Sequence, residues 1–372
     1  MDFGLNEEQE QLRQAVREFF EKETPVSFSR AMMDDPAGMT GKVWEEMAKL
    51  GWLGLTVPVE HGGSGLGALE LVLVMEEAGE VVLPGPLMST LALAVPAVVR
   101  IGTAQQQARL LPALATGARA ALAMAEKAGR WDLDGVEARA DAAGDGYRLS
   151  GTKLFVPDAR SSEHLLVVAR VATGAGVFVV PSSTAGVTVT PMTTVDATRK
   201  LDVIELDGVE VGADALLGAR PLDSAELDEL VDIQKLALAA ELCGLADASV
   251  RMSVEYLQIR EQFGRALASF QALQHKLADM KVALENARSL TYYAAWAMDT
   301  GAEDRHLACA MAKAYAGEHC VEVVADAIQA HGGIGFTWEH DLHLYLKRAR
   351  ADAVTCGDPA ENRELVAGLL QI

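Results

Sequence analysis

Apolar residues recur at helical spacing through the first 120 or so residues. Leu12, Val16, Phe19 and Phe20 form one stripe and Trp44, Met47 and Leu50 another. Gly51-Trp-Leu-Gly-Leu-Thr-Val-Pro58 leads into a glycine-rich loop, Glu60-His-Gly-Gly-Ser-Gly-Leu66. That loop reads either as a surface turn or as a place where backbone must approach something closely. A further helix is predicted over Leu69 to Gly79. From about Ala121 the period shortens. Asp145 to Gly151 reads as a hairpin, and His164–Arg170, Gly176–Val180, Gly186–Thr190 and Val203–Val211 read as strands. After Asp223 the chain returns to Ala- and Leu-rich helix through Val250, Phe270–Ala297 and Ala308–Gln329. The expected fold is mainly α with a central β-domain: a helical segment over 1–120, a β-domain over 121–219 and a four-helix-bundle-like segment over 220–372.

Composition narrows the function classes. Half of the 372 residues are apolar, enough for a sizeable core, and the formal net charge is −21. Such acidity argues against a nucleic-acid partner, which requires a basic face. Any anionic ligand must be met by local donors. Cys243, Cys309, Cys320 and Cys356 are widely spaced, which excludes a disulfide framework and fits a reducing compartment. The first residues are acidic and amphipathic, unlike a secretion signal, and Pro84, Pro86 and Pro96 interrupt the most apolar stretch. A soluble, cytoplasmic protein without a membrane span is expected. His340 and His343 alone, without an H-E-x-x-H pattern, do not indicate a metal.

Two stretches carry candidate chemistry. In Arg260-Glu-Gln-Phe-Gly264 the arginine ends a helical pattern. Its five donors suit a pyrophosphate, or it serves as a helix C-terminal cation. Gln262 offers amide hydrogen bonds and Phe263 an apolar face. In Gln329-Ala-His-Gly-Gly-Ile-Gly-Phe336 the residues Gly332, Gly333 and Gly335 allow a ligand to approach the backbone, or they form a helix cap and tight turn.

Together with Phe270-Gln271, His275–Met280, Trp52–Leu66, Asp145–Lys153 and Glu339–Arg350, these motifs resemble the acyl-CoA dehydrogenases over nearly the whole chain. The resemblance implies an α-helical N-terminal domain, a β-barrel-like middle domain and a C-terminal four-helix bundle. It also implies an acyl-CoA substrate, an FAD cofactor and an electron-transfer flavoprotein as acceptor. By motif, Arg260, Gln262, Phe263, Gln329, Gly332 and Gly333 take the FAD-binding positions, reaching the adenine-pyrophosphate part of a cofactor held by the neighbouring subunit.

Three departures qualify that picture. The family's catalytic glutamate falls on Cys356, ahead of Gly357, and a thiol with a reference pKa of about 8.5 is a poor base without activation. A second base position used by some members, 26 residues before Arg260, holds Gln234, which cannot accept and keep a proton. Glu241, two helical turns on, is the remaining candidate base or else an ion-paired carboxylate, with Asp232 behind it. Finally, the hydroxyls expected near the flavin ring are missing from Ala123–Trp131 and from Phe155-Val-Pro157. A chain that keeps what it lends to a neighbour while losing its own site is similar to the base-less subunit of bacterial α2β2 acyl-CoA dehydrogenases, several of which act on steroid side-chain thioesters. The expected function is that of such a subunit, beside a paralogous partner. A self-sufficient homo-oligomer using Glu241 and a non-redox acyl-CoA-binding or assembly protein are the alternatives.

Overall fold

The computed structural model describes residues 4–372. Helices α1 (Glu7–Glu23), α2 (Val26–Met32), α3 (Gly41–Lys49) and α4 (Ala68–Glu80) open the chain, and a π-helical stretch at Met88–Ala94 leads into α5 (Val95–Ile101) and α6 (Ala104–Ala115). Strands follow: β1 (Ala120–Ala123), β2 (Arg139–Ala143), β3 (Gly146–Pro157), β4 (His164–Val171), β5 (Gly174–Pro181), β6 (Val187–Pro191) and β7 (Leu201–Gly212). The long helix α7 (Ser224–Ile259) ends in a short hairpin, β8 (Glu261–Gln262) and β9 (Arg265–Ala266). Helices α8 (Gln271–Thr300), α9 (Arg305–His331), α10 (Leu342–Val354) and α11 (Pro359–Leu370) complete the chain. The observed order is the α–β–α arrangement that the periodicity predicts.

These residues divide into two compact units. The first gathers the N-terminal segment to Arg30, Ala68–Leu83 and Lys235–Ile372, and the second Ala31–Gly67 and Pro84–Gln234. In the first unit α9 packs against α8, α10 and α11, and α4 packs against α1 and α8. Polar ends are closed by local chemistry. Asn6 and Gln9 form a capping box on α1, and Asp358 and Glu361 form another on α11, whose first turn begins with Pro359. Helices α4 and α7 touch backbone to backbone. A β-carbon on Gly79 would lie 2.2 Å from the Glu241 carbonyl oxygen, and one on Gly244 would lie 1.9 Å from that of Glu76. Only glycine at both positions allows that approach. The flanking carboxylates of α4 are buried and satisfied: Glu77 accepts from Arg17 at 2.7 Å, and Glu76 accepts from Arg288 and from the Tyr292 hydroxyl, each at 2.7 Å.

In the second unit the strands form a sheet in the order β1-β4-β2-β3-β7-β6, with β5 on the other edge of β4. It curls into a half-barrel around Leu149, Val167, Phe178, Val180, Ile204, Leu206 and Val209. The predicted hairpin is present, with β2 and β3 antiparallel and Ala143 opposite Gly146. The glycine-rich loop proves to be a packed turn. Ser64, Gly65 and Leu66 donate their backbone N–H groups to the carbonyls of Gly54, Val57 and Leu55, and a β-carbon on Gly63 would overlap the Val57 oxygen. Its glycines serve the chain's own packing. Among the described residues no helix is long and apolar enough to cross a membrane. The four cysteines are buried and form no disulfide.

Candidate functional site

At the end of α7, Phe263 and Gly264 form the two-residue tip of the β8–β9 hairpin, with φ of +55° and +78°. A hairpin tip with both central φ values positive favours Asn-Gly, because a bulky residue there costs about 1–2 kcal/mol. Phe263 nonetheless holds that conformation with 90% of its surface exposed. Among the described residues its ring meets only the edge of Phe270, 6.1 Å away. Strain and exposure together mark a side chain displayed for something outside the fold. Arg260 and Gln262 flank the tip, both exposed. The Arg260 guanidinium makes no ion pair with the described residues, and the Gln262 amide donates only to the adjacent Glu261 carbonyl, at 2.8 Å.

At the end of α9, Gly332 has φ +64° and ψ −139°, a region closed to residues with a β-carbon. Gly335 is also forced, since a β-carbon there would sit 2.7 Å from the Ile328 oxygen. Gly333 differs from both. Its φ is not positive, and a β-carbon would meet nothing within 4 Å. Nothing among the described residues requires glycine at that point, so the open space fits close approach by a group from outside. Gln329 is exposed alongside it. Tyr256 of α7 stacks on His331 of α9 with ring centroids 4.4 Å apart, and this contact joins the two motifs. Beside them Phe336 is 77% and Trp338 62% exposed. The set of Arg260, Gln262, Phe263, Gln329 and Gly333 offers a delocalised cation, two amides, an apolar ring and a bare backbone. That donor set suits the adenine-pyrophosphate part of FAD.

The base positions look different. Cys356 lies buried beyond the end of α10, in a left-handed conformation with φ +59°. Asn362 holds this turn, its amide donating to the carbonyls of Gly357 at 2.9 Å and Asp358 at 3.0 Å. Beneath it, fully buried Lys313 donates to the carbonyls of Ala353 at 2.7 Å and Gly357 at 3.1 Å. Burial brings the Lys313 ammonium down to about 8, against the opposing pull of Cys356 and Asp352. No carboxylate replaces the thiol at position 356. Gln234 and Asp232 are both buried on α7.

Glu241, the candidate base, is engaged in a buried ion pair in this structure. It is 1% exposed and accepts from Arg348 Nη1 at 2.5 Å, and that arginine is itself fully buried and also donates to the Leu83 carbonyl. The contact engages a carboxyl oxygen that a general base would have to present to a ligand.

In the second unit, Phe155 sits at a register shift in β3 with φ +55°, half-exposed, and its N–H lies 3.4 Å from Met192 Sδ. Pro157, two residues on, brings neither hydroxyl nor N–H. Glu126 points inward: it binds buried Lys153 at 2.5 Å and accepts from the Ala138 N–H at 3.0 Å. This part of the fold is well supported, yet it carries no hydroxyl at the positions expected for the flavin ring. Sequence reasoning missed Lys313, Arg348 and the Tyr256–His331 stack. A single lysine inside the alanine-rich run Ala308–Ala316 was a legible hint of a buried cation.

Family models described as the acyl-CoA dehydrogenase N-terminal, middle and C-terminal domains match residues 6–118, 121–211 and 228–369. The mitochondrial isovaleryl-CoA dehydrogenase of Bos taurus is 33% identical, covering 98% of this chain and 88% of its own. Among solved structures, a chain of the Tcur3481-Tcur3483 steroid ACAD superposes with a TM-score of 0.88 at 32% identity, over 98% of both chains. A chain of the ChsE4-ChsE5 complex from Mycobacterium tuberculosis superposes with a TM-score of 0.90 at 26% identity, over 100% of this chain and 99% of that one.

Proposed function

The chain belongs to the acyl-CoA dehydrogenase family, and on that premise we propose that it is the base-less subunit of a paired assembly. It completes an FAD site on a paralogous partner that supplies the catalytic carboxylate. The observation that carries this reading is an asymmetry. The turns at Arg260–Gly264 and Gln329–Phe336 carry exposed side chains, whereas position 356, where the resemblance puts the base, holds a buried cysteine. Two of the similar solved structures are named for pairs of chains, which supports a two-chain assembly.

In the family's reaction a carboxylate removes the α-proton of an acyl-CoA thioester while bound FAD accepts hydride from the β-carbon. This chain's own residues contribute recognition and positioning. Arg260 neutralises pyrophosphate charge, Gln262 and Gln329 donate to it, and Phe263 covers the adjoining ring. The substrate is an acyl-CoA, the electron acceptor an electron-transfer flavoprotein, and the setting a reducing cytoplasm, in keeping with buried, unbridged cysteines.

Visible absorption of the chain purified alone and with a co-expressed paralogous subunit tests the assignment. A colourless lone chain and a yellow, active complex are expected. Stoichiometric flavin in the lone chain, bleached by an acyl-CoA, would overturn the reading. Cys356→Ala in the complex is expected to leave turnover within about twofold of the parent. A loss beyond about a hundredfold would make the thiol a catalytic group after all.

A further inference from the structure

The turn that carries Gly332–Phe336 is braced from behind by three histidines, none of which the proposed function uses. His331 closes α9, its Nδ1–H donating to the Ala327 carbonyl at 2.8 Å, with its ring stacked on Tyr256. His340 meets the His331 ring edge-on, centroids 4.6 Å apart. Its Nδ1 accepts from the backbone N–H of Leu342 at 3.2 Å. His343, at the start of α10, stacks on Trp338 with centroids 4.5 Å apart and planes 13° from parallel. Its Nε2 lies 3.3 Å from Arg30 Nη2. That arginine also grips Asp341 at 2.5 Å and the His340 carbonyl at 2.9 Å.

Donor chemistry fixes the protonation state of one of these rings. A backbone N–H can only donate, so His340 Nδ1 must present a lone pair, whereas His343 Nε2 lies between the Arg30 guanidinium, which can only donate, and the Trp338 carbonyl at 3.4 Å, which can only accept. The second nitrogen of His343, Nδ1, is buried and has no partner. Adding a proton to His340 Nδ1 turns an acceptor into a donor facing a donor. On His343 it leaves a buried N–H at Nδ1 with no partner and sets a cation against Arg30 of α2, with Lys347 of α10 over the Trp338 ring.

We propose that His340 and His343 form a proton-sensitive latch that holds the flavin-facing turn closed when neutral and loosens it when protonated. Its consequence for flavin rests on the function proposed above. The net direction is the same for each ring. Burial is the first cause lowering the pKa of all three histidines, His331 and Arg30 lower His340 further against Asp341, and Lys347 and Arg30 do so for His343 against the Trp338 carbonyl and Asp341. A histidine held neutral by the fold, with an ordinary pKa of about 6.5 once released, stabilises the turn above that pH. The contribution is lost as the pH falls below it.

The test compares the co-expressed complex with a complex carrying His340→Asn and His343→Gln, whose amide oxygens can accept the same hydrogen bonds without titrating. Flavin released on acidification is followed by its fluorescence. The parent is expected to hold flavin at neutral pH and release it near pH 6 (an order-of-magnitude placement from the reference histidine pKa). In the double variant the release midpoint should fall by about one pH unit or more. Superimposable release curves would overturn the latch. Should the complex hold no flavin even at neutral pH, the function proposed above fails, and the latch is judged on the lone chain. There, the Trp338 emission, isolated by difference from Trp338→Phe, should show an acid step that the double variant lacks. A flat titration would overturn the latch independently of any cofactor.

Discussion

Arg348→Met is expected to destabilise the helical unit by about 3–5 kcal/mol, because it removes the guanidinium that faces the buried Glu241 carboxyl. Arg348 is 0% and Glu241 1% exposed, their contact is 2.5 Å, and the residues are 107 apart in the chain. The mutation therefore removes both a charge partner and a tie between α7 and α10. Chemical denaturation of the purified chain reads the loss as a lower midpoint. Removing both charges, as in Glu241→Leu with Arg348→Met, should recover most of the stability, since an apolar pair of similar volume needs no desolvated ions. A loss below about 1 kcal/mol for the single variant would mean that water reaches the pair. The experiment also bears on mechanism. If Glu241→Gln left stability untouched and abolished turnover, the carboxylate would return as a base.

The second large effect separates what the chain needs for itself from what it provides to others. Gly333→Val is expected to leave the stability of the lone chain unchanged, because its backbone is unstrained and its β-carbon would point into open space. In the complex the same side chain would intrude on whatever approaches that backbone. Overpacking of about 1–3 kcal/mol there corresponds to roughly five- to 150-fold weaker retention of flavin. Gly332→Ala provides the contrast. Its φ of +64° with ψ of −139° excludes alanine, so the lone chain itself should lose about 1–3 kcal/mol. Flavin content and thermal midpoint, measured on both variants with and without partner, give a two-by-two answer. Equal flavin retention in Gly333→Val and the parent would place the cofactor elsewhere.

Much of the fold was legible because its elements are long and strongly periodic. The strand expected over His164–Arg170 is observed at His164–Val171, and the helix expected after Asp223 begins at Ser224. The exposed turns at Arg260–Gly264 and Gly332–Phe336 were legible because glycine reports backbone geometry directly, while their assignment to a cofactor came from the resemblance. What was not legible depended on tertiary contacts. Ala120–Ala123 has the composition of a helix but forms a strand, because pairing with β4 in a wholly buried setting outweighs alanine's helical preference. Glu241 looks the same in sequence with or without an ion partner, and Arg348, more than a hundred residues away, becomes visible as that partner only in the fold. The glycine-rich loop at Glu60–Leu66 offered two readings, and the carbonyls it packs against selected the structural one.

The exposed Phe263, Phe336 and Trp338 bear on how the protein is maintained in a cell. An apolar surface of this kind on an unaccompanied chain is a target for chaperones and proteases. Survival of each new copy should therefore depend on how quickly a partner is found, and unpaired surplus should be cleared. Pulse-labelling with the partner gene silenced would show this as a shortened half-life; an unchanged half-life would mean that the lone chain covers this surface by itself. On that expectation, supply of one polypeptide sets the lasting amount of the other, even when their synthesis rates differ.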